Sequence, residues 1–584
     1  MEDRFGYSGF SALKDILSIL AGVGVVLLPL VYSRGLAVLA NELVGCVVLS
    51  FFLLLGIVLI VRKCFICFSV SSLKVQISTI DVFVILCMAY YVFNVAVVDR
   101  WRIDRYTLII CGAAVVGYWL LRLRKVTLNI LLYACCVSGI IQTVLAACQR
   151  LGIMVSHNMQ FDVTGSFGNP GQLGGYVAIC CVFSLGLLLH SIKGLNRLVM
   201  CLLGLAVSVQ LYGLFLADSR AAWVAFLLGG FSLSIFYFPI LAYCRKHKKF
   251  VLLFLCFGVV IGGIAAYKYR PSSAKARLLI WRVSADMVAD APLLGHGASS
   301  FAREYMLYQA AYFRKTPCSS FTMVADNSVY PFNELVGVMV RFGILGLVLM
   351  LLLFYSALIG KSEDSKSKIL KSGLLALFSF SLFSYPTQIF PLLMFYPILL
   401  GSVRGKVIYV VSLPLWTLLP AIIITVVLLQ QTIREGIFIK KISNTLLELY
   451  QKGDDLEEEE YIRMKDNISF NDYYQTWLMR QVETGKMGNE RIEEMQPSCE
   501  GYCALAQYYM LHNKNLEAEK FLYLASDMIP TRIQPKYFLW ELYIALGNGC
   551  KAMEMANEIL RMPLKVENSY TLKVKRKVGN YIRK

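Results

Sequence analysis

Long apolar stretches recur along the first 430 residues. They lie near 15–33, 37–61, 79–98, 106–121, 128–148, 173–191, 197–216, 221–243, 250–268, 335–360, 369–385, 388–402 and 408–430. A helix needs about 20 apolar residues to cross a ~30 Å hydrocarbon core. By that measure the stretches predict about thirteen transmembrane helices. Pro386 and Pro391 interrupt the pair between 369 and 402. The first stretch does not read as a cleavable leader, because it is long and the next begins just after Ser33-Arg34-Gly35.

After about Gln431 the apolar runs give way to amphipathic helical patterning. An acidic run, Asp454-Asp455-Leu456 and then Glu457 to Glu460, reads as a solvated helix start. Residues 499–530 fit one tetratricopeptide unit, with Ala506, Tyr509, Ala518, Leu522, Ala525 and Pro530 at its small, aromatic, large and breaking positions. Tyr543, Ala552 and Ala556 continue the register, with a turn at Gly547-Asn548 and an end at Pro563. The expected fold is all-α: a polytopic membrane helical bundle over 1–430, then a soluble helical domain over 431–584. Tetratricopeptide-like repeats are expected at about 499–565, and stacked helical pairs of that kind suit docking of a protein partner.

Composition agrees with the spans. Charged residues make up 16% of the 584 and mean hydropathy is +0.61. Soluble domains carry roughly 25% charged residues, so a water-soluble enzyme is excluded as the whole chain. The net charge of +19 belongs with basic cytoplasmic loops and anionic membrane lipids. Nucleic acid is not an expected partner, since no basic stretch is interleaved with stacking aromatics. The 17 cysteines sit mostly inside apolar runs, as at Cys135-Cys136 and Cys180-Cys181, and form neither a disulfide framework nor a zinc site.

Charge also sets an orientation. Lys and Arg concentrate in alternate loops, among them those with Arg62, Lys63 and Lys74, Arg122 to Lys125, Arg245 to Lys249, and Lys361 to Lys371. The positive-inside rule makes these loops cytoplasmic, with the N-terminus inside. Segments 149–172, 269–334 and the C-terminal domain are then outside.

Polar groups on that outer side are the candidates for chemistry. There is no Walker loop, GxSxG elbow or HExxH motif, and the five histidines hold no metal-ligand spacing. Three patches stand out. Gly165 to Tyr176, GSFGNPGQLGGY, is a glycine-rich loop opening a helix, where backbone amides can approach an anion. Asp218-Ser219-Arg220 lies at the mouth of a span, where an arginine fork can grip phosphate. The third patch runs from Arg277 and Trp281 through Pro292-Leu293-Leu294-Gly295-His296-Gly297 and Phe301 to Asn333-Glu334.

In this order the patches resemble the bacterial O-antigen ligase and O-antigen polymerase family. The family's "G.FgNpn.lagyl" is matched by Gly165, Phe167, Gly168, Asn169, Pro170, Gly175 and Tyr176, and "SRaawla" by Ser219 to Trp223. Its "R..iW..s..m..d.PllGhG..sF" is matched by Arg277, Ile280, Trp281, Ser284, Met287, Asp290, Pro292 to Gly297, Ser300 and Phe301. Its "hNeyL...vE.GilGl" is partly matched by Asn333, Glu334 and Gly343 to Gly346, but Phe332 replaces the histidine and Arg341 the glutamate.

The resemblance implies a multi-pass enzyme of the bacterial inner membrane. It would transfer an undecaprenyl-diphosphate-linked glycan, at the periplasmic face, to lipid A-core, another glycan or a protein. Arg220 and Arg277 are the expected catalytic charges on the departing diphosphate, in place of a metal. Gly168, Asn169, Ser219, Trp281 and Asn333 are the expected substrate-binding residues. With Phe332 in the histidine slot, Glu334, His296 and Tyr330 are the candidates to accept the acceptor's proton. No cofactor or metal is implied. A transporter is the competing class; it would place ionisable residues near the middle of several spans, where this chain has few. A non-catalytic scaffold docking partners through its tail is the other.

Overall fold

The computed structural model describes residues 72–102, 105–123, 128–156, 158, 160–192, 196–238, 271–317, 319–359, 364–403, 405–414, 418–452 and 495–583, with isolated positions at 19, 22–27, 29, 46, 50, 53, 54, 57 and 478. The spans expected near 15–33, 37–61 and 250–268 lie mainly or wholly outside these residues, as do His157 and the acidic run at 454–460.

Among the described residues the membrane bundle comprises α1 (Thr79–Phe93, prolonged by a wider π turn Asn94–Val98), α2 (Arg105–Leu123), α3 (Leu128–Arg150), α4 (Pro170–Ser191), α5 (Arg197–Ala217) and α6 (Arg220–Tyr237). Helices α7 (Pro271–Asp290) and α8 (Ser300–Lys315) follow, and then α9 (Glu334–Ile359), α10 (Ser365–Ser381), α11 (Phe395–Ser402) and the 35-residue α12 (Leu418–Lys452). Among the described residues seven helices are long and apolar enough to cross a membrane: 79–98, 128–150, 170–191, 197–217, 220–237, 334–359 and 419–441.

Helix α4 is the core of the bundle and packs against α3, α5, α6 and α10. Small residues permit this closeness, as is usual where lipid supplies no hydrophobic drive between helices. A Cβ on Gly175 would lie 2.3 Å from the Phe380 ring, and one on Gly213 would lie 2.2 Å from the Thr143 hydroxyl.

Two expectations need correction. The apolar run 408–430 is not one span. Val407–Pro414 is a β-strand, antiparallel to Ser72–Ser78, with Val75 opposite Val411 and an irregularity at Ile77/Ser78. Its run of β-branched residues favours an extended chain, and apolar length alone does not separate strand from helix. The fold is therefore helical with one small ribbon. The boundary expected at 430/431 also falls inside α12, which continues past the membrane stretch as a single helix. Phe390–Leu393 and α11 together are too short for a full crossing, Pro391 and Pro397 falling at their starts.

The ribbon marks one end of the bundle. There Asp81, 1% exposed, accepts hydrogen bonds from Ser78 N (2.6 Å), Tyr118 Oη (2.6 Å) and Arg122 Nε (2.9 Å). Arg122 Nη1 donates to the Val403 carbonyl at 2.7 Å, and Nη2 donates to Ser78 Oγ. This one ion pair ties α1, α2 and α11 to the ribbon.

At the opposite end α9 is broken. Gly343 takes φ 63°, ψ −167°. The chain Pro292–Gly297 lies alongside and supplies what the break releases: His296 N donates to Val340 O, Gly297 N to Arg341 O, Ile344 N to Pro292 O and Leu345 N to Leu293 O. Tyr90 Oη adds a 2.6 Å bond to Phe342 O, and Asn94 Nδ2 a 2.9 Å bond to Leu294 O. Contact is so close that a Cβ on Gly343 would stand 2.2 Å from Leu293 O.

Five C-terminal helices complete the described chain: α13 (Cys499–Leu511), α14 (Asn515–Met528), α15 (Ile533–Ala545), α16 (Gly549–Arg561) and α17 (Ser569–Arg583). Each packs on the next, around Ala506, Ala518, Leu522, Ala525, Tyr543, Ala552 and Ala556. They join the outer segment through α8. Gln309 Nε2 donates to Met528 O at 2.7 Å, Arg314 pairs with Asp527 at 2.9 Å and Lys565 with Asp326 at 2.7 Å.

Removing one partner of a buried ion pair leaves an uncompensated charge. Arg122→Met is expected to lower stability by about 3 kcal/mol, read as thermal unfolding of the detergent-purified protein. Asp81→Asn combined with Arg122→Met should cost less than the two single changes added together.

Candidate active site

Three helices begin at the end of the bundle away from the ribbon, and each start is capped by a residue expected to bind substrate. Asn169 caps α4, accepting from Gly171 N at 2.7 Å ahead of Pro170. Ser219 caps α6, accepting from Ala222 N at 3.4 Å, after Asp218 turns the chain at φ 45°. Asn333 caps α9, accepting from Leu335 N at 2.9 Å and Val336 N at 3.2 Å. Helices α4 and α6 touch here, since a Cβ on Gly174 would lie 2.9 Å from those of Ser219 and Ala222.

The glycine-rich loop is held from below by two amides of α3. Gln149 Oε1 accepts from Thr164 N (2.8 Å) and Gly165 N (2.7 Å), and its Nε2 donates to Gly165 O (2.8 Å). Gln142 Oε1 accepts from Ser166 N at 3.1 Å and Ser166 Oγ at 2.9 Å. Gly165 stands at φ 60° against Gln142 and Leu173, a place open to glycine alone. Gly168 lies beyond, its carbonyl accepting from Asn158 Nδ2 at 3.1 Å.

Arg277 projects from α7 over the Phe332 ring, 5.6 Å from its centre. Trp281, one turn on, donates Nε1–H to Pro331 O at 2.9 Å and so fixes the loop carrying Phe332 and Asn333. Phe332 itself adopts φ 52°. Burial holds the Arg277 guanidinium below its ordinary pKa, and the nearby charge of Arg220 lowers it further. Two arginines from elements 57 residues apart thus share one field. Among the described residues Arg277 forms no ion pair.

The loop after α10 closes this group. The Tyr385 ring stacks on Tyr330 (4.5 Å between centres, 9° between planes) and meets Phe332 edge-on at 5.2 Å. Burial raises the Tyr385 pKa, against the pull of the nearby Gln172 amide and of the Arg277 charge. Gln172 belongs to the glycine-rich patch, so Tyr385 links the first patch to the third.

Two of the three candidate bases, Glu334 and His296, sit differently. Glu334, 4% exposed, accepts on Oε1 from Arg341 Nη2 (2.9 Å) and Thr387 Oγ1 (2.5 Å), and its Oε2 has no hydrogen-bond partner. Arg341, which stands in the family's glutamate slot, is thus the counter-charge of Glu334. His296 is engaged at both ring nitrogens: Nδ1 lies 2.8 Å from Glu304 Oε2 and Nε2 lies 2.7 Å from Met287 O. Two acceptors on one imidazole favour the doubly protonated ring. The structure uses His296 to fasten the Pro292–Gly297 loop to α7 and α8.

Sequence reasoning did not find Tyr385, Thr387, Gln142 or Gln149. The glutamines carried a signal, being the two glutamines of a largely apolar helix, seven residues apart on one face. Tyr385 and Thr387 carried only the Pro386 interruption between two apolar runs.

Two arginines thus stand near each other at one mouth of a bundle of helices long and apolar enough to cross a membrane. Residues 205–351 match the family model described as O-antigen ligase, a stretch that holds Arg220, Arg277, His296, Glu334 and Arg341. Over that stretch the chain carries an O-antigen ligase family domain, which places it in glycan transfer during surface-glycan assembly. No curated protein matches the chain. The glycine-rich patch, Tyr385 and the C-terminal helices lie outside the matched residues.

The Glu304 hydrogen bond raises the His296 pKa above its ordinary value of 6.5, against the cost of burial. A raised folded pKa stabilises fully below the unfolded value and is lost as pH climbs through the folded one. The melting temperature of purified protein should therefore decline as pH rises from about 6 through the raised His296 value. His296→Gln should flatten that decline and lower stability below pH 6 by about 1 kcal/mol.

Proposed function

We propose that this protein transfers an undecaprenyl-diphosphate-linked oligosaccharide or polysaccharide to an acceptor hydroxyl at the outer face of the bacterial inner membrane. The observation that carries the proposal is the convergence of Arg220 and Arg277, from α6 and α7, beside the glycine-rich helix start. Fixed guanidinium forks stabilise the charge that develops on a departing diphosphate. Three capped helix starts add partial positive charge at the same mouth.

The acceptor oxygen attacks the anomeric carbon from the face opposite the diphosphate. The C–O bond to phosphate breaks and its electron pair leaves with the lipid diphosphate, inverting the carbon. The acceptor's proton passes to Glu334 Oε2, the carboxylate oxygen without a partner, while Arg341 and Thr387 hold Oε1 in place. His296 shapes the loop and takes no proton. Gly168, Asn169, Ser219, Trp281 and Asn333 set the walls of the donor site. The chemistry is read without a metal or cofactor. Lipid A-core, a growing glycan and a protein side chain are the acceptor classes. The C-terminal helices, read as tetratricopeptide-like, suit the docking of a protein acceptor or partner.

Sidedness follows from the gathering of basic loops at one end. Arg122 meets Val403 and Ser78 there, and Lys368 stands over Tyr237 at the matching ends of α10 and α6. Those loops are cytoplasmic by the positive-inside rule, and Arg277 then faces the periplasm.

Deletion of the gene should leave lipid-linked oligosaccharide accumulated, and the product missing from glycolipid and glycoprotein gels names the acceptor. Arg277→Lys should lower transfer at least about 100-fold despite retained charge, because the planar fork is lost. Glu334→Gln should abolish transfer while donor binding persists; near-normal transfer would remove it as the base. Alkaline phosphatase fused at about residue 440 should be active and at 363 inactive. The reverse pattern would overturn the orientation.

A further inference from the structure

The loop between α10 and Phe390 lies beyond the matched family segment, yet it brings a side chain into the arginine group. Tyr385 is held there by its ring, stacked on Tyr330 and edge-on to Phe332. The Gln172 side chain lies near its oxygen. Its hydroxyl hydrogen has no acceptor among the described residues. Arg277, close enough for its charge to act on this phenol, forms no ion pair there either. Two unmet donors therefore stand side by side, brought together from α7 and the α10 loop.

The chemistry of such a pair is selective. A sugar hydroxyl brings its own hydrogen and needs acceptors as well as donors. A phosphate brings only acceptor oxygens, several of them, each able to take a donor. We propose that Tyr385 is a further ligand of the lipid diphosphate, its hydroxyl donating to a phosphate oxygen beside Arg220 and Arg277. This rests on the donor class proposed above. Three elements then grip one group: α6 and α7 through arginine, and the α10 loop through a phenol held by its ring contacts. The ring stacking fixes the place of the phenol oxygen before any lipid arrives, so little ordering cost remains on binding.

The test is Tyr385→Phe in the full-length protein, which keeps the ring and removes only the hydroxyl. An unchanged melting temperature confirms that the stacking survives. Binding is measured with undecaprenyl diphosphate, which has no sugar, and with the glycan-bearing donor. A hydrogen bond to a charged group is worth a factor of about ten or more. The variant should bind both lipids at least about tenfold more weakly and raise the donor KM by a similar factor. Wild-type affinity of the variant for undecaprenyl diphosphate would overturn the assignment, and so would weakening confined to the sugar-bearing donor. Should Arg277→Lys fail in transfer while Tyr385→Phe behaves as wild type, the transferase reading stands and this inference alone falls. Should the wild-type protein neither bind undecaprenyl diphosphate nor transfer its glycan, the transferase reading falls with it.

Discussion

Backbone amides and carbonyls inside a bilayer have no water to turn to, so a helix that breaks there must find partners within the protein. Helix α9 breaks at Gly343, roughly 14 Å along its axis from Glu334 at 1.5 Å per residue. The Pro292–Gly297 chain fills the gap with four backbone hydrogen bonds, and Tyr90 and Asn94 of α1 add two more. That weld fixes the outer segment to the bundle. Helix α7, and with it Arg277, is placed by the loop welded at its end. The C-terminal helices are placed in turn through α8. A side chain at Gly295 or Gly343 would collide with the backbone across the weld.

The two ends of the bundle treat charge in opposite ways. At the ribbon end Asp81 and Arg122 neutralise each other, and nearly every polar atom of the pair is hydrogen-bonded within the protein. A closed arrangement of this kind contributes register and offers nothing to a ligand. At the other end Arg277 lies over an aromatic ring, lowered in pKa by burial and by Arg220. Like charges held together in a partly dry site are costly unless an anion arrives. Under the proposed function, the free energy that folding spends there becomes binding energy for a diphosphate.

The departures from the family pattern form a consistent set. Phe332 cannot accept a proton, but it supplies a ring under Arg277 and an edge for Tyr385. Arg341 cannot act as the carboxylate it replaces, but it pairs with Glu334 two turns earlier on the same helix. The site keeps its helix starts and arginines while the surrounding aromatic and charged residues are rearranged.

Periodicity, hydropathy and charge made most of the membrane helices legible, because an apolar run of about 20 residues has few alternatives in lipid. The three outer patches were legible as well: glycine, arginine and helix-capping residues have local chemistry that shows in local sequence. The residues 407–414 were misread as part of a span, since length and apolarity do not distinguish a β-branched strand from a helix. The different surroundings of His296 and Glu334 were not legible, because they depend on Glu304, Met287, Arg341 and Thr387, partners set by packing. Tyr385 was invisible for the same reason. A lone tyrosine in a proline-broken loop has no periodic signature, and only the tertiary structure sets its hydroxyl beside Gln172 and Arg277. Sequence alone marked most of the long apolar helices and the patches proposed to carry chemistry. The contacts between distant segments decided which of those side chains are spent on holding the fold and which remain for substrate.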